Sequence, residues 1–175
     1  MRTHTLSVLV SNKSGVLARV VGLISRRGFN IDSLSVGTTE HPDVSRMTIV
    51  MAVEDERVIE QVVKQLNKLI EVYKIVELEA NAVNHEMLLV KVSCTDSTRS
   101  AVIDITNLFR GHIVDVSPDS VTIEVTGGRQ KIDSFSAMVS SYGIIEMVQS
   151  GQVALGRGSR SINEKKRPAL AKHKG

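Results

Sequence analysis

The stretch LSVLVSNKSGVLARVVGLI, residues 6–24, decides the fold because the spacing of its apolar residues changes in the middle. Leu6, Val8 and Val10 alternate with Thr5, Ser7 and Leu9, which is the spacing of a β-strand. Beyond residues 12–15, which break the strand, apolar side chains recur at helical spacing, at positions 16, 17, 20, 21 and 24. The stretch therefore predicts a strand that leads through a short polar turn into an amphipathic helix.

The same two spacings continue to about residue 80. The elements predicted after the first helix are a strand through residues 31–36, a strand through 47–53, a helix through 58–70 and a strand through 72–78. Acidic residues 54–56 precede the second helix, where its positive end favours them. The order β-α-β-β-α-β is typical of a ferredoxin-like fold, an antiparallel four-stranded sheet with both helices on one face.

The second half of the chain repeats this plan. Its predicted elements are a strand through residues 87–92, a helix through 101–109, a hairpin of strands 113–116 and 121–125, a helix through 132–139 and a strand through 144–148. We therefore predict an α+β protein with two ferredoxin-like domains in tandem. The predicted divisions are a first domain at 1–80, a linker at 81–84, a second domain at 85–158 and a basic tail at 159–175. The tail contains little to bury, so it is interpreted as disordered.

Positive charge is concentrated at the end of the chain. The formal net charge is +3, but from residue 151 onward seven basic residues accompany a single acid. The preceding part, with 15 basic and 18 acidic residues, is mildly acidic. Aromatic residues are scarce, and the predicted strand at 47–53 lacks those on which an RNA-recognition motif stacks bases. No nucleic-acid partner is therefore expected.

Motifs of common enzyme classes are absent from the sequence. It contains no GxSxG, no GxxxxGK[ST] and no HExxH, and its five histidines show no metal-ligand spacing, so no catalytic residue and no metal are expected. The single cysteine, Cys94, is interpreted as a buried structural thiol. No apolar run approaches the roughly 20 residues of a membrane helix, and no signal peptide is evident. A soluble cytoplasmic protein is expected.

The turn between the first strand and the first helix is the candidate ligand site. Free backbone N–H groups at a helix N-terminus suit a carboxylate, and Gly15 has no side chain to block its approach. Asn12 offers both a donor and an acceptor, and a second asparagine, Asn30, opens the next strand. The competing interpretation is that Asn12 or Ser14 caps the helix while Gly15 relieves strain. These residues alone leave the two interpretations equally open.

Longer strings of residues resemble a known family. Residues 6–20, LSVLVSNKSGVLARV, resemble the opening of an ACT domain. With RRGFNIDSL at 26–34 and SRMTI at 45–49, the chain resembles the regulatory small subunit of acetohydroxyacid synthase, also called acetolactate synthase. The resemblance continues through LLVKV at 88–92 and FRGHIVDV at 109–116 to LGRG at 155–158. It covers about residues 1–158 and leaves out the tail.

The resemblance implies a regulatory subunit that is not itself an enzyme. Members of this family bind and activate a catalytic large subunit that uses thiamine diphosphate, Mg²⁺ and usually FAD, and no cofactor is expected in the small subunit. They confer feedback inhibition by valine in branched-chain amino acid biosynthesis. The alternative is an amino-acid-responsive transcription regulator with an ACT-like sensor, although the sequence has no helix-turn-helix pattern.

The resemblance also implies where valine binds. Two ACT domains pair edge to edge in a homodimer, and the effector lies between them. The implied site consists of Asn12, Gly15, Val16 and Leu17 of one chain with Asn30 and Ile31 of its partner. With the whole motif present, a ligand site is preferred to a helix cap. A hydrophobic pocket separates side chains that differ by a methylene by only roughly 1–3 kcal/mol, so leucine and isoleucine are also expected to bind.

Overall fold

The N-terminal half forms a four-stranded antiparallel sheet in the computed structural model, which describes residues 2–159 and 161–162. Its elements are β1 (Arg2–Ser11), α1 (Val16–Ser25), β2 (Ser33–Thr38), β3 (Val44–Val53), α2 (Glu56–Leu66) and β4 (Val72–Leu78). The strands lie in the order β2-β3-β1-β4, so β2 and β4 form the edges. The predicted element order is confirmed.

Both helices of this half pack on one face of the sheet. Alternate residues of the central strands, among them Val8 and Ile49, are buried together with Val20 of α1 and Val62 of α2. Helix α2 begins where the acidic cluster was predicted to start it: Asp55 accepts a 2.9 Å hydrogen bond from the backbone N–H of Arg57. Hydrogen bonds from Arg57 hold the pKa of the Asp55 carboxyl below its usual value.

The C-terminal half forms a second antiparallel sheet around its own core. Its elements are β5 (Val83–Ser93), α3 (Asp96–Leu108), β6 (His112–Val116), β7 (Ser120–Gly127), α4 (Arg129–Ser140), β8 (Ile144–Gln149) and β9 (Val153–Leu155). The strand order is β6-β7-β5-β8. Phe135 of α4 is fully buried and meets the ring of Phe109 edge to face, with centroids 5.4 Å apart. Cys94 is 2% exposed in this core, so its interpretation as a buried thiol is confirmed.

Strand β5 is longer than predicted and serves two pairings. Its residues 86–93 pair with β7, and its residues 83–85 pair with β9. Val83 and Asn84, which the sequence placed in the linker, therefore already lie in a strand. The three-residue strand β9 was not predicted, because three residues are too few to display a period of two.

The predicted end of the second helix is wrong. Helix α2 ends at Leu66, whereas the apolar stripe continues at helical spacing to Ile70. Leu69 still packs against the core, but its N–H bonds to the carbonyl of Leu66 in a tighter turn, and Ile70 is 92% exposed. The spacing of the apolar residues alone could not show where the α-helix ends and the tight turn begins, since a tight turn also returns every third residue to the same side.

Segment 151–155 joins the two halves by packing against the first sheet, on the face opposite the helices. Strand β9 contacts β1, and its middle residue, Ala154, is buried. The backbone N–H of Gln152 donates a 2.7 Å hydrogen bond to the Ser33 hydroxyl at the start of β2. A Cβ on Gly151 would lie 2.2 Å from the carbonyl oxygen of Leu34, so the backbones meet where only glycine fits.

Two further predictions from the sequence concern membrane-spanning helices and the C-terminal tail. Across residues 2–159 and 161–162, no helix is both long and apolar enough to cross a membrane. The tail predicted at 159–175 lies outside the described residues, apart from residues 159, 161 and 162.

Candidate ligand-binding site

Residues 12–15 connect the end of β1 to the N-terminus of α1. Gly15 occupies the position before the helix with φ of 84°, in the left-handed region that glycine adopts without strain. Among the described residues, no side chain caps this helix, so the suggestion that Asn12 or Ser14 is a cap is wrong. The N–H of Val16 donates a 3.4 Å hydrogen bond to the carbonyl of Lys13. In the part of the chain that the structure describes, the N–H groups of Leu17 and Ala18 have no partner and are left to solvent or to a ligand.

Asn12 is held by the turn between β2 and β3. Its backbone N–H donates to the carbonyl of Asp43, and its side-chain Nδ2 donates to the carbonyl of Pro42, both at 2.8 Å. These bonds fix the direction of the side chain and use one of the two N–H groups of its amide. The contacts of Pro42 and Asp43 with Asn12 could not be predicted from the sequence, because they are made by backbone carbonyls and leave no signal in residue type.

The side chains around this turn leave open space in front of the helix. A Cβ on Gly15 would meet no atom within 4 Å. Val16 is buried in the core, so only its backbone faces outward, whereas Leu17 is 42% exposed and offers an apolar surface beside the helix N-terminus. The turn thus combines polar backbone groups with a small apolar wall.

Glu71 fixes the other side of the turn. Its backbone carbonyl accepts a 2.8 Å hydrogen bond from the N–H of Ser11, and its carboxylate forms an ion pair with Arg19 of α1. The end of β1 and the first turns of α1 are thereby tied to the segment that leads into β4. This rigidity favours a site formed before a ligand arrives.

The remaining predicted residues, Asn30 and Ile31, lie at the opposite end of α1. Asn30 donates from Nδ2 to Oδ1 of Asp32 at 2.9 Å, and Ile31 packs partly against the core. Helix α1 has ten residues, and at 1.5 Å of rise per residue it separates the two groups by about 15 Å. A single chain therefore does not bring the six predicted residues together.

The two edge strands of the first sheet differ in charge. Strand β2, with the sequence SLSVGT, has no charged residue, whereas β4 carries Lys74 and Glu77. Charged side chains on an edge strand oppose pairing with another strand. Strand β2, next to Asn30 and Ile31, is thus the edge suited to pairing with a second chain.

Comparisons with known proteins match both halves of the chain. Residues 6–74 match a family model described as an AHAS small subunit-like ACT domain. Residues 85–158 match a family model described as the small subunit of acetolactate synthase.

Individual relatives match along nearly the whole length. The acetolactate synthase small subunit of Mycobacterium bovis is 54% identical over 94% of this chain and 98% of its own length. A probable acetolactate synthase small subunit of Archaeoglobus fulgidus is 52% identical over 90% of this chain and 98% of its own. The crystal structure of the acetolactate synthase small subunit from Thermotoga maritima covers 91% of this chain and 100% of its own, with a TM-score of 0.86 and 39% identity. These matches confirm both the fold and the resemblance drawn from the sequence.

Proposed function

Because this chain belongs to the family of acetolactate synthase small subunits, we propose that it activates the catalytic large subunit and makes that enzyme sensitive to valine. The observation that carries the proposal is the match of both domains, in order, to relatives that this chain covers almost end to end. Thiamine diphosphate, Mg²⁺ and FAD belong, in this proposal, to the large subunit. Family membership favours this function over that of a transcription regulator.

The effector site is the turn at residues 12–15 together with the start of α1. The N–H groups that follow Gly15 would donate to the carboxylate of valine, where the helix dipole also favours negative charge. Oδ1 of Asn12, whose amide is oriented by Pro42, would accept from the ammonium group. Leu17 would contact the isopropyl group.

The second half of the site comes from a partner chain. Two identical edge strands related by a two-fold axis run antiparallel, so the start of one β2 lies beside the end of the other. The start of β2 follows Asn30 and Ile31, and its end leads to the turn that holds Asn12. Pairing through β2 would therefore bring the two groups of predicted residues together across the dimer.

Valine in such a site would bind best to one arrangement of the dimer. An effector shifts a partner's activity only through a difference in its affinity for two arrangements. The Gln152–Ser33 hydrogen bond offers a route from the site to the C-terminal domain, because Ser33 lies two residues beyond Ile31.

Reconstitution tests the proposal. The large subunit from the same organism is assayed for acetolactate formation alone, with this chain, and with this chain and valine. We expect the rate to rise when the chain is added and to fall with valine only when the chain is present. An unchanged rate on adding the chain would show that activation is wrongly assigned. A raised rate that valine does not lower would show that the effector is wrongly assigned.

A further inference from the structure

A cavity of about 410 Å³ lies away from the turn at residues 12–15, between the first sheet and the strands that pack on its open face. Residues of β2 and β3, including Gly37, Arg46 and Thr48, form one wall. The opposite wall comes from β5 and β9, including Val83, Val153 and Leu155. The cavity has the size of small-molecule sites, which range from about 300 to 1,000 Å³.

Arg46 places a positive charge in this cavity. It is half-buried, and its Nε donates a 2.9 Å hydrogen bond to the hydroxyl of Ser7, which is itself fully buried. Burial lowers the pKa of the guanidinium, and the charge of Glu40 partly offsets this effect. Within residues 2–159 and 161–162, no ion pair is found for Arg46. A partly desolvated cation of this kind is stabilised by an anion that enters the cavity.

The opposite wall is open to solvent and mainly apolar, with the imidazole of His85 as its polar side chain. Val153 is 57% exposed and Leu155 is 55% exposed, although both belong to a strand whose middle residue, Ala154, is buried. Val83, paired with Leu155 across β5 and β9, extends the same surface. Aliphatic side chains exposed on a concave surface lose contact with water when an apolar ligand binds.

From this juxtaposition of Arg46 with an aliphatic wall we infer a second ligand site, specific for a small aliphatic monocarboxylate. The guanidinium fork matches a carboxylate in bidentate geometry, and Val83, Val153 and Leu155 contact the hydrocarbon body. The ligand touches both domains, so it favours the arrangement in which segment 151–155 is packed on the sheet. This site goes beyond the proposed effector site and shares none of its residues.

Isocaproate is the probe, with isohexanol as its uncharged counterpart. Each is titrated into the full chain while methyl NMR signals of Val83, Val153 and Leu155 are followed. We expect isocaproate to shift these signals in a saturable way, and isohexanol to bind at least about tenfold more weakly. Equal binding of the two compounds, or no shift with either, would overturn the inference.

Two variants locate the site. Arg46→Met removes the charge, and we expect it to raise the Kd for isocaproate at least about tenfold. Gly37→Leu fills the cavity: Gly37 lies opposite Arg46 in the β2–β3 register, and a Cβ there meets nothing within 4 Å. It keeps Arg46 and should abolish the shifts, so it tests the site even if Arg46→Met does not fold. Wild-type binding by a folded form of either variant would contradict the site.

Two control variants distinguish this cavity from the effector site and from a general attraction of the anion to positive charge. Gly15→Asp, at the proposed effector site, and Arg57→Met, which removes an exposed positive charge elsewhere, should both bind isocaproate like the wild type. Loss of binding in Gly15→Asp would place the ligand at the effector site instead. Isocaproate binding that weakens as the protein concentration rises would show that a second copy fills the cavity, which also overturns the inference.

Discussion

At the scale of single residues, Gly15 combines two properties that other residues cannot supply together. Its φ of 84° turns the chain sharply into α1, and the absence of a side chain leaves space in front of the helix N-terminus. Asn and Asp are the residues that best tolerate this backbone region after glycine. They have almost the same shape and differ in charge, so they separate the electrostatic role of the position from its backbone role.

We predict that Gly15→Asp abolishes the valine response and that Gly15→Asn weakens it less. Both variants are expected to lose about 1–2 kcal/mol of stability from the backbone conformation. Only the aspartate repels the carboxylate of valine, so its Kd should be at least about tenfold higher than that of the asparagine variant. Calorimetry with valine and urea unfolding of both variants provide the measurement. Equal valine affinity in the two variants would mean that the carboxylate binds elsewhere.

The candidate site could be predicted from the sequence in part. Asn12 and Gly15 were identified by residue type and position, because an amide and a glycine before a helix suit either a cap or a ligand site. The structure excludes a cap by Asn12, because it places the Asn12 amide on Pro42, while ligand binding at this turn stays a prediction. The carbonyls of Pro42 and Glu71 could not be predicted, since they come from parts of the chain whose approach depends on tertiary packing.

At the scale of elements, segment 151–155 is the connection that the periodicity of the sequence did not reveal. The two βαββαβ units were predictable because each strand or helix is long enough to show its period. Segment 151–155 has only a three-residue strand, and its position depends on the Gln152–Ser33 hydrogen bond and on the close approach of Gly151 to Leu34. Such contacts between domains have no local signature in sequence.

We predict that Gly151→Ala loosens this connection. The added Cβ would lie 2.2 Å from the Leu34 carbonyl oxygen, so a backbone must move, and overpacking of this kind costs roughly 1–3 kcal/mol. Gly156→Ala is the matched control, because a Cβ there meets nothing within 4 Å and its effect should stay within about 0.5 kcal/mol. Urea unfolding measures both. If Gly151→Ala is as stable as the control, the backbones are not in contact in solution.

Hydrogen exchange gives a second measurement on the same variant. The N–H of Gln152 is protected by its bond to Ser33 in the wild type and should exchange faster in Gly151→Ala. Protection of β7 in the C-terminal core should change little. Faster exchange across the whole chain would instead indicate global destabilisation.

At the scale of the whole molecule, the proposed effector site needs two chains. The helix of about 15 Å between Gly15 and Asn30 prevents one chain from completing it. In a two-fold dimer, each of the two sites takes its turn at residues 12–15 from one chain and its Asn30 from the other. A substitution in the turn at residues 12–15 of one chain and a substitution of Asn30 in the other chain should therefore complement each other.

We predict that mixing two inactive variants restores binding. Gly15→Asp and Asn30→Ala homodimers each carry one defect in every site, so neither should bind valine tightly. In a mixed dimer, one site carries both defects and the other carries none. After unfolding and refolding together, about a quarter of all sites should bind valine with wild-type affinity, as measured by calorimetry. The absence of any recovery in a mixture shown to contain mixed dimers would place both groups in a site within one chain.

The uncharged edge of β2 has a consequence for the solubility of the unpaired chain. In an unpaired chain, residues 36–38 of β2 are exposed, and the strand, SLSVGT, has no lysine, acid or proline to discourage pairing with foreign strands. Surplus copies of this chain are therefore at risk of aggregation, and refolding from urea at a fixed protein concentration should produce more turbidity than refolding of a Val36→Lys variant. If the proposed dimer forms through β2, the supply of this chain in a cell must match the rate of its assembly.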